Sequence, residues 1–189
     1  MSDTGWKNPG TAVNDSSVGT ISWDNNKSTP TGSVSNVLSS DNETIGFFRS
    51  GEAYSHYIKV SNFSFDIPSA TSITGVEVSV ECFSTFLART FDNGAYIVKG
   101  GTISGEDKSK ATNWSDTEET RVYGGSTDMW NVSLVPSDVN SSTFGFVISV
   151  GGILGALYAD IDNIQMKVYY TLDTPIVDSK YPLPAFKIS

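Results

Sequence analysis

Ile73-Thr74-Gly75-Val76-Glu77-Val78-Ser79-Val80-Glu81-Cys82-Phe83 decides the fold class. Val76, Val78, Val80 and Cys82 fall on one side of an extended chain, and Glu77, Ser79 and Glu81 on the other. A strict period of two with β-branched residues on the apolar side is a strand with one face buried and one face wet. The same reading extends outward. Thr44 to Arg49, Tyr54 to Phe65, Ala95 to Lys99, Thr120 to Tyr123 and Met129 to Leu134 are short strand candidates separated by turn residues. In Leu157 to Thr171, Ile164, Met166, Val168 and Tyr170 alternate with Gln165, Lys167 and Tyr169. Val135 to Asn140 suits a single helical turn, because Pro136 and Ser137 fit its first positions. Helical periodicity lasts nowhere beyond two turns. An all-β fold is therefore expected: an antiparallel β-sandwich, jelly-roll-like in its strand spacing.

Composition agrees. Ser and Thr number 28 and 18 in 189 residues, and only 17% of the chain is charged, against about 25% for ordinary domains. The length fits one domain with appendages. Three regions are expected: a polar N-terminal arm over 1–42 with one short strand near Val18 to Trp23, a sandwich core over 43–171, and an extended C-terminal docking tail over 172–189. Pro175, Pro182 and Pro184 keep the tail out of a sheet centre. Its Ile176, Val177, Tyr181, Leu183 and Phe186 favour docking over solvation.

Charge and residue counts exclude several functions. A net charge of -9 opposes nucleic-acid binding, which needs a basic footprint, and opposes an anionic membrane surface. A single cysteine, Cys82, removes a disulfide framework and any cysteine-based zinc cluster. A single histidine, His56, removes sites that need two. Phe144 to Ala159 carries no charge but is shorter than the ~20 residues of a spanning helix. It reads as two strands around a glycine turn. The opening Met1 to Lys7 lacks the basic and apolar stretches of a secretory signal, so assembly in a cytosol is expected.

Candidate site residues are few. No nucleophile elbow or Walker loop is present, and the chain is expected not to be an enzyme and to need no cofactor. The acid pairs Asp160/Asp162 and Glu77/Glu81 read as surface charges. Asp160-Ile161-Asp162-Asn163 also gathers hard oxygen ligands of the type calcium takes. No metal is expected, and Asp160 and Asp162 are the nearest to a calcium pair. Cys82 continues an apolar alternation and reads as a small buried hydrophobe. Trp6, Trp23, Trp114 and Trp130 lie in or beside polar loops. Exposed there, they would stack on sugars; buried, they would close the ends of a sandwich core. Ile153 and Leu154 sit at the tip of a glycine hairpin, where exposed aliphatics mark a contact surface.

A recurring order of turns and core positions runs through the chain. It comprises Trp6-Lys7-Asn8-Pro9-Gly10, Ser40-Asp41-Asn42-Glu43, Ile73-Thr74-Gly75-Val76-Glu77-Val78 and Gly124-Gly125-Ser126-Thr127-Asp128-Met129-Trp130. Pro136-Ser137-Asp138-Val139-Asn140 with Phe144-Gly145, and Ile161 to Tyr170, complete it. Over residues 6 to 171 this order resembles a widespread group of β-sandwich proteins encoded among the structural genes of tailed bacteriophages. The resemblance implies a virion component assembled in the host cytoplasm: a capsid decoration or head-fibre subunit, or a tail-associated protein. It implies other virion proteins and further copies of the chain, as a homo-oligomer, for partners. The different reading that the tryptophans leave open is a carbohydrate-binding or receptor-binding module of a tail fibre or adhesin, with a cell-surface glycan as ligand.

Overall fold

The computed structural model describes residues 1–23, 33–84, 89–152 and 156–173. Two antiparallel sheets face each other. The first is built on the long strands β6 (Thr71–Phe83) and β11 (Ala156–Leu172). β9 (Glu119–Gly124) pairs with the far side of β6, while β1 (Ser2–Asp3) and β3 (Ile45–Ser50) share the other side of β11. The second sheet runs β2 (Thr11–Asp15), β5 (Tyr57–Ser61), β10 (Gly145–Gly152), β7 (Phe91–Lys99) and β8 (Thr102–Ser104), with β4 (Ala53–Tyr54) also on β10. The expected all-β sandwich is what the chain forms.

The alternation of β6 explains its position. Val76, Val78, Val80 and Cys82 are fully buried, and they meet Ile58, Val60, Ile97, Phe146 and Ile148 of the opposite sheet in one core. Burial pushes the Cys82 thiol far above its ordinary pKa, outweighing the Arg121 charge that pulls it down. The uncharged run from Phe144 has a different cause. Every residue of β10 is buried, because its Val147 packs in a second cluster with Tyr57 and Val98, edged by Val18, Tyr96 and Ile103. A strand covered on both faces has no reason to alternate.

Within that second cluster Tyr57 is 7% exposed, with Tyr96 edge-on at 6.4 Å. Burial first, and then the neighbouring Tyr96, push its phenol up to about 12. The folded value thus lies above the unfolded one of about 10. Stability from this group is complete below pH 10 and is lost as pH rises through 12. Urea melts between pH 8 and pH 12 should show the decline, and Tyr57→Phe should flatten it. An unchanged profile in that variant would assign the alkaline loss to other groups.

The N-terminal region departs from expectation. In place of one strand near Val18 to Trp23, β1 joins the first sheet and β2 joins the second. Ile21 makes only a single bridge, to Ser55. Lys7 bridges Met166 and Leu38 bridges Asn163, so this region fills the side of β11 between β1 and β3. Met129 to Leu134 also differs: Trp130 and Asn131 have φ of 54° and 56°, which makes a turn and excludes a strand. The expected helical turn is present as α1 (Pro136–Val139).

Candidate functional site

β11 carries a bulge. Ile161 pairs with Cys82 and Asn163 with Glu81, leaving Asp162 as the extra residue. A bulge re-aims a side chain, and here it turns Asp162 towards two other acids. One carboxylate oxygen each from Asp162, Glu81 and Glu118 lies within 4.8 Å of the others. Glu81 comes from β6, and Glu118 directly precedes β9. Asp162 is 1% exposed. Burial raises its pKa, against the pull of the backbone amides of Asn42 and Asp41, while the charges of Glu81 and Asp41 add to the rise. Beside the cluster opens a cleft of ≈ 490 Å³ lined by Asn42, Thr44, Phe83, Asp116, Thr117 and Glu118.

This arrangement revises the expected acid pairs. Asp160 and Asp162 are not surface charges, since both are buried. Nor do they act as a pair: the Asp160 Oδ1 accepts a 3.1 Å hydrogen bond from the Thr44 hydroxyl, whereas Asp162 joins Glu81 and Glu118. Glu77 and Glu81 separate as well. Glu77 takes a 3.0 Å ion pair from Lys167 and a 2.6 Å hydrogen bond from the Tyr169 hydroxyl.

The tryptophans are revised too. Trp23, Trp114 and Trp130 are fully buried and present no platform to a sugar. Each indole N–H is consumed inside: Trp23 on the His56 carbonyl at 2.8 Å, Trp114 on Asp92 Oδ1 at 2.7 Å, Trp130 on the Val76 carbonyl at 2.9 Å. Polar flanking residues suggest exposure, but the loops that hold these rings fold back over the core. Only Trp6 among the four is exposed, at 39%, and the Lys167 ammonium lies 4.4 Å from its ring centre. The contact candidates Ile153, Leu154, Ile176, Val177, Tyr181, Leu183 and Phe186 lie outside the described residues.

A buried polar constellation escaped the sequence reading. Asp92 accepts from the Trp114 indole, from the Tyr123 hydroxyl at 2.9 Å and from the Lys110 amide at 2.8 Å. The Arg121 guanidinium stands 3.6 Å from it and 3.0 Å from Glu119. Burial works against the Arg121 charge, yet Asp92 and the neighbouring groups hold its pKa above the ordinary value. Asp92 and Trp114 are 22 residues apart, with no spacing rule to link them. His56 is likewise structural in its contacts, with Nδ1 3.1 Å from Asn14 Nδ2.

The chain is thus an all-β protein of two packed antiparallel sheets with a charged node in its core. Its sequence matches no protein-family model and no curated protein. Among solved structures it is similar to a chain in the structure of infectious bursal disease virus, Gt strain, at 11% identity over 71% of this chain. The match spans about a third (35%) of that viral chain, at a TM-score of 0.29. So distant a likeness carries no argument about role.

Proposed function

We propose that this chain is a non-enzymatic structural protein of a virion, held in place by protein–protein contacts. Within that class we place it as a capsid-decoration, fibre or tail-associated subunit of a tailed phage. The observation that carries the reading is the fate of the groups best able to do chemistry or stack on a ligand. Asp92, Arg121, Tyr123 and three of the four tryptophans are buried and bonded to one another or to backbone. Those bonds tie loops to sheets and make a stiff body. The resemblance of the residue order to that of phage β-sandwich proteins supports the same role. Contact then falls to apolar residues of the sequence that lie beyond the described ones: Ile153, Leu154 and the proline-interrupted tail with Ile176, Val177, Tyr181, Leu183 and Phe186. An extended segment of this composition suits strand addition or strapping onto a neighbouring subunit.

The test is co-expression with the capsid and tail proteins of the same source genome, followed by gradient sedimentation. The full chain should sediment with particles in fixed stoichiometry. A chain ending at Leu172 should fold and stay at the top of the gradient. Absence of the full chain from particles would overturn the virion role, and full incorporation of the short chain would overturn the role of the tail.

A further inference from the structure

We propose that Glu81, Glu118 and Asp162 form a divalent-cation site, and that its ion is calcium. The donor set is all carboxylate oxygen, the hard chemistry that calcium and magnesium take and that thiol- or imidazole-seeking metals do not. Oxygens bound to one calcium ion at about 2.4 Å are at most about 4.8 Å apart, and the three oxygens here meet that limit.

A cluster of acids on an acidic protein is common without an ion; the second observation is Asp162 itself. Its Oδ1 is enclosed and has no hydrogen-bond partner, in a residue 1% exposed. The Asn42 and Asp41 amides reach this carboxylate but leave Oδ1 without a donor, which is costly away from water, and two further carboxylates with oxygens within 4.8 Å add repulsion. A cation bound among the three relieves both costs. The β11–β6 register shifts at Asp162, so the residue released from the ladder is the one whose oxygen lies beside the other two.

Calcium is favoured over magnesium by the surroundings. Calcium accepts six to eight oxygens in irregular arrangement, whereas magnesium demands a near-ideal octahedron and keeps its waters. Carboxylates from β6, from β11 and from the loop before β9, beside an open cleft lined with the oxygen-bearing Asn42, Asp116 and Thr117, suit the larger ion. Asp160, with Oδ1 engaged by Thr44, is outside the set.

The experiment uses the full chain, stripped with chelator and returned to physiological salt. Calorimetric titration with calcium chloride should give one ion per chain, and a hundredfold excess over Kd should raise Tm by about 5–10 °C. Glu81→Gln and Glu118→Gln should each weaken binding at least tenfold. Glu118 is exposed, so its variant should keep the parent circular dichroism spectrum. Glu77→Gln, four residues from Glu81 on the same strand, should bind as the parent does. No heat and no shift at 5 mM calcium would overturn the site. Unchanged binding in both cluster variants, or equal weakening in Glu77→Gln, would reduce it to diffuse acidic charge. A preference for magnesium would overturn the choice of ion.

Discussion

Asp92→Ala should lower the unfolding free energy by about 3–5 kcal/mol, the usual result of removing one partner from a buried ion pair. Three donors converge on this carboxylate: the Trp114 indole, the Tyr123 hydroxyl and the Lys110 amide. Trp114 and Tyr123 are at most 2% exposed, so water cannot replace the lost acceptor without opening the core. Arg121 is 5% exposed and, among the described residues, would keep Glu119 alone as a charged partner. Its Nη2 stays on the Thr112 carbonyl and hydroxyl, but its Nε, which makes no hydrogen bond, would lose the charge 3.6 Å away. A domain of this size shifts about 2–4 °C per kcal/mol, so Tm should fall by roughly 6–20 °C.

Asp92→Asn separates shape from charge. The amide oxygen can still accept from Trp114, and Tyr123 can turn its hydroxyl to accept. The Lys110 amide would then face another donor. The asparagine variant should fall between parent and alanine, and leucine should be no better than alanine because every donor remains. Thermal melts of the four proteins decide the matter. A loss under 1 kcal/mol in Asp92→Ala would mean that the node is incidental to stability.

The parts of the fold that were legible share one property: their signal is local. In β6 and the second half of β11, each apolar residue announces its own face, and the strands appear where the alternation places them. The N-terminal strands gave no such signal. Ser2–Asp3 and Thr11–Asp15 contain almost nothing to bury; partners far along the chain recruit them through backbone bonds. The acidic cluster was half legible. Apolar positions in β11 run through Ala159 and Ile161 and then switch phase to Ile164, Met166 and Val168. That switch marks a bulge, and it points to Asp162 as the residue displaced. The pairing of β6 with β9, which brings in Glu118, has no local trace. The tryptophans misled for a related reason: polar neighbours describe the loop, while burial depends on where the loop lands.

Trp130→Ala should cost about 3–5 kcal/mol, and the companion variants tell why. Trp130 stands between the sheets, fully buried, edge-on to Phe146 with ring centres 6.0 Å apart. Its indole N–H reaches the Val76 carbonyl at 2.9 Å. Phenylalanine should recover most of the loss. That carbonyl also accepts from the Gly125 amide at 3.0 Å and would not be orphaned, so the missing bond should cost only about 1 kcal/mol. Glycine should do something less usual. Trp130 holds a φ of 54°, a left-handed conformation that costs a residue with Cβ about 1–2 kcal/mol. Gly124, at 72° beneath the same ring, already uses glycine's freedom there. Trp130→Gly should therefore match or exceed Trp130→Ala in stability, reversing the order that backbone entropy gives elsewhere. Urea midpoints of the three variants test this. Glycine falling about 1 kcal/mol below alanine would mean that the turn relaxes out of the left-handed region once the ring is gone, and that the indole alone holds the chain there.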